Sequence, residues 1–276
     1  MQLTKEILPE YFTLASPHNS HYKEITNTFD FVNRGSSTLV VTAGDSWTWG
    51  ADLDNEFRLQ QVYGNIVSHS LAADWLNLAQ SGSSNFFIAE RIEELGKIIP
   101  KLNYNKIYLI CTFTEVGRGF NSHHDIHINY LDWFDKNPIE CAQDFDQLLD
   151  YINRDCLNRI RAVVDQFDTE LVLGTNFVDA VGITDDPGFL PTPWYRLLGC
   201  KNAVVSYASS TGATRLNHAI SFVPKDKSTL FKSWYIDLID RSAHTDHMCV
   251  TLPLLNNHPT APGHVAWADY ILQHIK

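Results

Sequence analysis

No run of 18 or more apolar residues occurs anywhere in this chain of 276 residues, which excludes a membrane-spanning helix. Positive charge is the scarcer sign. Lys and Arg total 21 against 32 Asp and Glu, a formal net charge of −11, and the basic residues are scattered rather than clustered. That balance argues against nucleic acid or an anionic membrane surface as a partner and favours a small, neutral or polar substrate. Cysteine is sparse and odd in number, with Cys111, Cys141, Cys156, Cys200 and Cys249 far apart and no C-x-x-C pair. A disulfide framework is therefore not expected, and the compartment reads as reducing. Neither G-x-G-x-x-G nor a P-loop is present, which disfavours nucleotide-using enzymes. The opening MQLTKEILPEYF carries charges and lacks the apolar segment of a secretory signal, so the expected location is cytoplasmic.

An apolar fraction of 44% is enough for one substantial core, and the length suits a single α/β layer domain. Residues 1–36 read as a polar lead-in without a clear period, and 37–276 as the domain proper. Thr38 to Thr42 is a β-branched strand, Asn55 to Trp75 has helical spacing, and Trp75 to Ala79 is a short strand. Ser83 or Ser84 caps a helix from Asn85 to Ile99, which Pro100 ends. Lys106 to Thr112 is the clearest buried strand. A loop from Phe113 to Asn137 follows, then a helix opened by Pro138 and running to about Phe167. Glu170 to Thr175 is a fourth strand. Loops and short helices are expected from Asn176 to Val250, and Ala261 to Ile275 reads as a final helix. Such alternation implies a mostly parallel sheet covered on both faces.

One turn stands out. In Val40-Val41-Thr42-Ala43-Gly44-Asp45-Ser46-Trp47-Thr48-Trp49-Gly50, the strand breaks at Gly44, so Ser46 falls on the turn at the strand's C-terminal end. That edge is where ligands collect in open α/β sheets. A helix starting there offers unpaired backbone N–H groups. The plain alternative is an ordinary turn with Ser46 as a cap. A nucleophilic serine needs a base, a group orienting that base, and oxyanion donors. The turn around Gly82 and the late His258, just before Pro259 and the last helix, are placed to supply them.

GDSWTWG near the start, the Asn77 to Gly82 segment and HPTAPGHVAWA near the end together resemble the SGNH (GDSL-type) hydrolase family, over about Thr38 to Ile275. The resemblance implies a flavodoxin-like three-layer α/β/α sandwich and an esterase or deacetylase acting on an acyl or acetyl group of a small molecule or glycan. It implies Ser46 as nucleophile, His258 as base, backbone N–H groups of Ser46 and Gly82 in the oxyanion hole, and no metal or organic cofactor. The GSSN turn and the T-x-x-x-R segment are similar to divergent members found in bacteriophage genomes, which would place the protein in a virion.

Two positions depart from the family. Where an aspartate is usual two or three residues before the histidine, this chain has Leu255, Asn256 and Asn257. An Asn256 oxygen accepts an imidazole N–H but carries no charge, and an Asp-to-Asn change in a serine triad costs on the order of 10⁴ in kcat. Asp237, Asp240 and Asp246 are the substitute carboxylates nearest in sequence. After the strand ending at Cys111, Thr114 stands where the family has an asparagine oxyanion donor, with Asn85 and Arg118 as further donors. These departures carry the alternative: an SGNH-like binding or structural, virion-associated protein with impaired catalysis. Other conspicuous residues take plainer readings. His123, His124 and His127 around Asp125 read as a polar loop rather than a metal site, as do His244 and His247 around Asp246. His264 reads as structural, Trp47 and Trp49 as packing, and Asp45 as a cap.

Overall fold

The structure, a computed structural model, describes residues 29–51, 53–81, 83–114, 133–176, 182–198, 223–242, 254–255 and 258–275. Its elements in chain order are β1 (Asp30–Val32), β2 (Thr38–Ala43), α1 (Ser46–Trp49), α2 (Arg58–Gln61), α3 (Tyr63–Ser70), β3 (Asp74–Asn77), α4 (Asn85–Ile98) and β4 (Lys106–Phe113). Then come α5 (Phe145–Val164), β5 (Thr169–Thr175), α6 (Trp194–Leu197), α7 (Ser228–Ser242), β6 (Leu254–Leu255), β7 (His258–Pro259) and α8 (Ala261–Leu272). The main sheet runs β1-β3-β2-β4-β5. β3, β2, β4 and β5 are parallel, and β1 joins the β3 edge antiparallel. Helices cover both sides, so the fold is the three-layer α/β/α sandwich that the alternation predicts.

The two faces follow from the two-residue period of the strands. Leu39, Val41 and Ala43 of β2 point into one core with Leu109, Leu171, α4 and α5. Val40 points into the other with Ile110, Val172, α3 and α8. Each fully buried aliphatic side chain contributes about 1.5–3 kcal/mol. The strand order matters for function. From β2 the chain steps to β3 on one side, then crosses back to β4 on the other. A ligand crevice opens at such a reversal, beyond the strands' carboxyl ends, and Ser46 follows β2 there.

Several boundaries differ from expectation. The helix expected over 55–75 is two, because Val62 is extended (φ −72°, ψ 136°) and starts a new helix. The break tips α3 so that Gly64 lies flat on the sheet, where a Cβ would sit 2.5 Å from Trp75 Nε1. Pro138 does not open α5, which begins at Phe145 after a 3₁₀ turn at Ala142–Asp144. In the stretch expected to hold only loops and short helices, α7 spans 15 residues and seats Phe231 and Trp234 against Phe145. The sheet also starts before residue 37, since β1 lies within the expected lead-in. No described helix is long and apolar enough to cross a membrane.

Candidate active site

Gly44 makes the turn after β2 possible, because a Cβ there would lie 2.1 Å from Thr48 Oγ1. Asp45 is the N-cap of α1, its Oδ1 accepting from Trp47 N at 2.9 Å. Gly50 closes the helix in the left-handed region (φ 86°), its N–H donating to Ser46 O and Trp47 O. One helical turn is too short to persist alone, so its surroundings fix it. Ser46 is the first helical residue, its N–H without an intrahelical acceptor, and its side chain lies 3.0 Å from His258: Oγ to Nε2.

His258 arrives from the far end of the chain. β7 pairs antiparallel with β6, Leu255 opposite His258 and Leu254 opposite Pro259, and α8 begins two residues later. α8 is anchored on α3, where Tyr63 N donates to His264 Nδ1 at 3.3 Å. His264 is wholly buried, and burial, followed by the nearby His258, pushes its pKa down to about 3. It is a neutral core histidine, as its position inside the helix predicts. Beside it the buried Tyr63 phenol shares hydrogen bonds with Thr112 Oγ1 and Thr48 Oγ1. Desolvation raises its pKa well above the ordinary tyrosine value, so it stays protonated.

Asp45 is the hub under the serine. Besides Trp47 N, its Oδ1 accepts from Asn176 Nδ2 at 2.6 Å, and its Oδ2 accepts from Thr114 Oγ1 at 2.8 Å. Thr114 thus stands beside the Ser46 turn, but its single hydroxyl proton goes to Asp45. Asn85 opens α4, and its amide grips the Thr114 backbone: Oδ1 accepts from Thr114 N at 2.8 Å, and Nδ2 donates to Thr114 O at 3.1 Å. The other Nδ2 hydrogen goes to Asn153 Oδ1 at 3.1 Å. The side-chain hydrogens of Thr114 and Asn85, two of the expected oxyanion donors, are therefore engaged in the support of the turn.

Gly82, Asn256, Glu115, Arg118, the histidines 123, 124 and 127, and residues 243–250 lie outside the described residues, as does the side chain of Asp240. Asp237 lies on α7. Among the described residues no group of three or more His, Cys, Asp or Glu is placed to hold a metal ion. Sequence reasoning missed Asn176, Asn153, Asp30 and Arg58. Asn153 left a signal, a lone amide on the apolar stripe of α5 between Leu149, Ile152 and Cys156. Trp47 packs edge-on against Trp194 at 5.3 Å, while Trp49 lies under the Arg58 guanidinium, 4.2 Å from the ring centroid.

No family model matches the chain, and no curated protein matches it. Solved structures are similar to it at low identity. One is a member of the lipolytic protein G-D-S-L family from Veillonella parvula (11% identity, covering 86% of this chain and 97% of that one, TM-score 0.39). Another is a putative lipolytic protein of the G-D-S-L family from Desulfitobacterium hafniense (12%, 86% and 99%, TM-score 0.38). A third is the psychrotrophic esterase EstA from Pseudoalteromonas sp. (10%, 85% and 94%, TM-score 0.36). These three proteins lend no support to a bacteriophage origin.

Proposed function

We propose that this protein is a serine hydrolase that cleaves an ester, removing an acyl or acetyl group from a small molecule or glycan. The observation carrying this reading is the 3.0 Å approach of His258 Nε2 to Ser46 Oγ beyond the carboxyl end of β2. Ser46 Oγ attacks the ester carbonyl carbon while His258 Nε2 takes its proton. For Nε2 to accept, the histidine proton resides on Nδ1, held by Asn256 or by a carboxylate among Asp237, Asp240 and Asp246. The carbonyl oxygen, now negative, is stabilised by the backbone N–H groups of Ser46 and Gly82. The tetrahedral adduct collapses, the C–O bond breaks, and His258 returns the proton to the leaving alcohol. A water activated by the same nitrogen then attacks the acyl-Ser46 ester, releasing the acid and restoring the serine.

Replacing Ser46 with alanine is expected to abolish release of p-nitrophenol from a short-chain ester and labelling by a fluorophosphonate. Undiminished turnover by Ser46→Ala would overturn the assignment. A second reading, a binding or structural protein on the same scaffold, is favoured by the engagement of Thr114 and Asn85 elsewhere. Losing one oxyanion donor costs roughly 3–4 kcal/mol. Folded wild-type protein that stays silent to the fluorophosphonate would favour this second reading.

A further inference from the structure

The nucleophile turn is held at its front by Asp45, and its back end is held by a group from outside the Ser46 motif. Arg58, at the start of α2, is buried. Its Nη1 donates to Trp49 O, the last carbonyl of α1, at 2.7 Å. The same guanidinium lies over the Trp49 ring, 4.2 Å from its centroid. Both of its terminal nitrogens reach the carboxylate of Asp30, Nη1 to Oδ2 at 2.9 Å and Nη2 to Oδ1 at 2.6 Å. Asp30 in turn accepts from Asn77 Nδ2 at 3.2 Å, at the end of β3. One planar cation thus joins the C-terminal end of α1 to β1 and β3.

We propose that Arg58 and Asp30 are a positioning pair that fixes the Ser46 turn for attack, so that the edge strand β1 belongs to the support of the site. The inference rests on the reading of Ser46 as nucleophile. A helix of four residues has no internal stability of its own. A fork that binds a carboxylate with one face of its donor set and a backbone carbonyl with another, while stacking on the ring between them, fixes position and rotation together. Lysine keeps the charge but loses the fork and the planar stack. If the pair only stabilised the fold, its loss would lower the melting temperature and leave each folded molecule as reactive as before.

The test compares wild type with Arg58→Lys and with Asp30→Asn, which retains the shape and one acceptor. Two measurements are made on folded protein: the second-order rate of Ser46 labelling by a fluorophosphonate, and amide hydrogen exchange along the chain. We expect labelling and kcat to fall at least tenfold in both variants, with KM changed less than threefold. Exchange should quicken over 44–51 more than elsewhere. If Arg58→Lys does not fold, Asp30→Asn carries the test. Wild-type rates of labelling in a folded variant, or unchanged exchange over 44–51, would overturn the proposal. Selective quickening over 44–51 in a protein whose wild type never labels would leave the positioning pair standing and remove the nucleophile it was argued to serve.

Discussion

At the scale of single residues, the buried polar side chains around Ser46 bind one another, with Asn176 Oδ1 and His264 Nε2 left without a partner among the described residues, and removing a partner from Asp45 leaves a buried group unsatisfied. Asp45 takes donors from α1, from Thr114 after β4 and from Asn176 after β5, so three chain segments converge on one carboxylate. His264 differs, because its environment disfavours charge. Its pKa is pushed down to about 3 from an ordinary 6.5, chiefly by burial and secondly by His258. The unfolded chain takes up a proton near 6.5 while the folded one refuses it until about 3. His264 therefore leaves stability untouched above the ordinary value and erodes it as pH falls through that window, by about 1.4 kcal/mol per pH unit. In His264→Asn, the asparagine oxygen still accepts from Tyr63 N and does not titrate. Urea unfolding from pH 7 to 4 should show a shallower loss of stability in that variant. Parallel curves for the two proteins would refute the account.

At the scale of elements, close approach decides which helices sit where. α3 reaches the sheet through Gly64, where an added Cβ would meet Trp75 Nε1 at 2.5 Å and Thr42 Cγ2 at 2.7 Å. Those two side chains are joined by a 3.0 Å hydrogen bond, so neither yields freely. Gly64→Ala should therefore cost about 1–3 kcal/mol, seen as a lower urea midpoint with an unchanged slope; a neutral or raised midpoint would contradict this packing. Much at this scale was legible in the sequence. The apolar run at Lys106–Phe113, the Ser84 cap of α4 and the stripe of α5 are local patterns, and local patterns survive folding. The break at Val62 was hidden because Leu59, Val62 and Ile66 keep a helical spacing across it. The long-range partners were hidden for a different reason. Asp30 with Arg58, and Asn85 with Asn153, are 28 and 68 residues apart, and no periodicity relates them. The serine and its histidine were legible only because each sits inside a recognisable block. The direction taken by the Thr114 proton was not, since a hydroxyl offers its hydrogen to whichever acceptor the fold brings near.

At the scale of the whole molecule, the sheet separates two cores that, among the described residues, share no buried side chain. One contains Ile92 of α4, the other Ile271 of α8, both fully buried. Ile92→Val and Ile271→Val should each cost about 0.5–1.5 kcal/mol. The double variant should equal their sum to within about 0.5 kcal/mol. A larger coupling, measured by the double-mutant cycle, would mean that strain passes through the sheet.

The layout also sets an order in time. Ser46 and His258 meet across 212 residues of chain. β2 and the serine turn precede β3, β4 and β5 in the chain, whereas the histidine comes after β5, on a β-ribbon followed by a helix that docks onto α3. On the proposed mechanism, the nucleophile and the group that activates it are joined only by this long-range contact. Contacts of such separation close late because the loop entropy must first be overcome. The 3.0 Å contact is for that reason a record of completion: a molecule in which Ser46 and His258 have met has already built its sheet, filled both cores and docked α8.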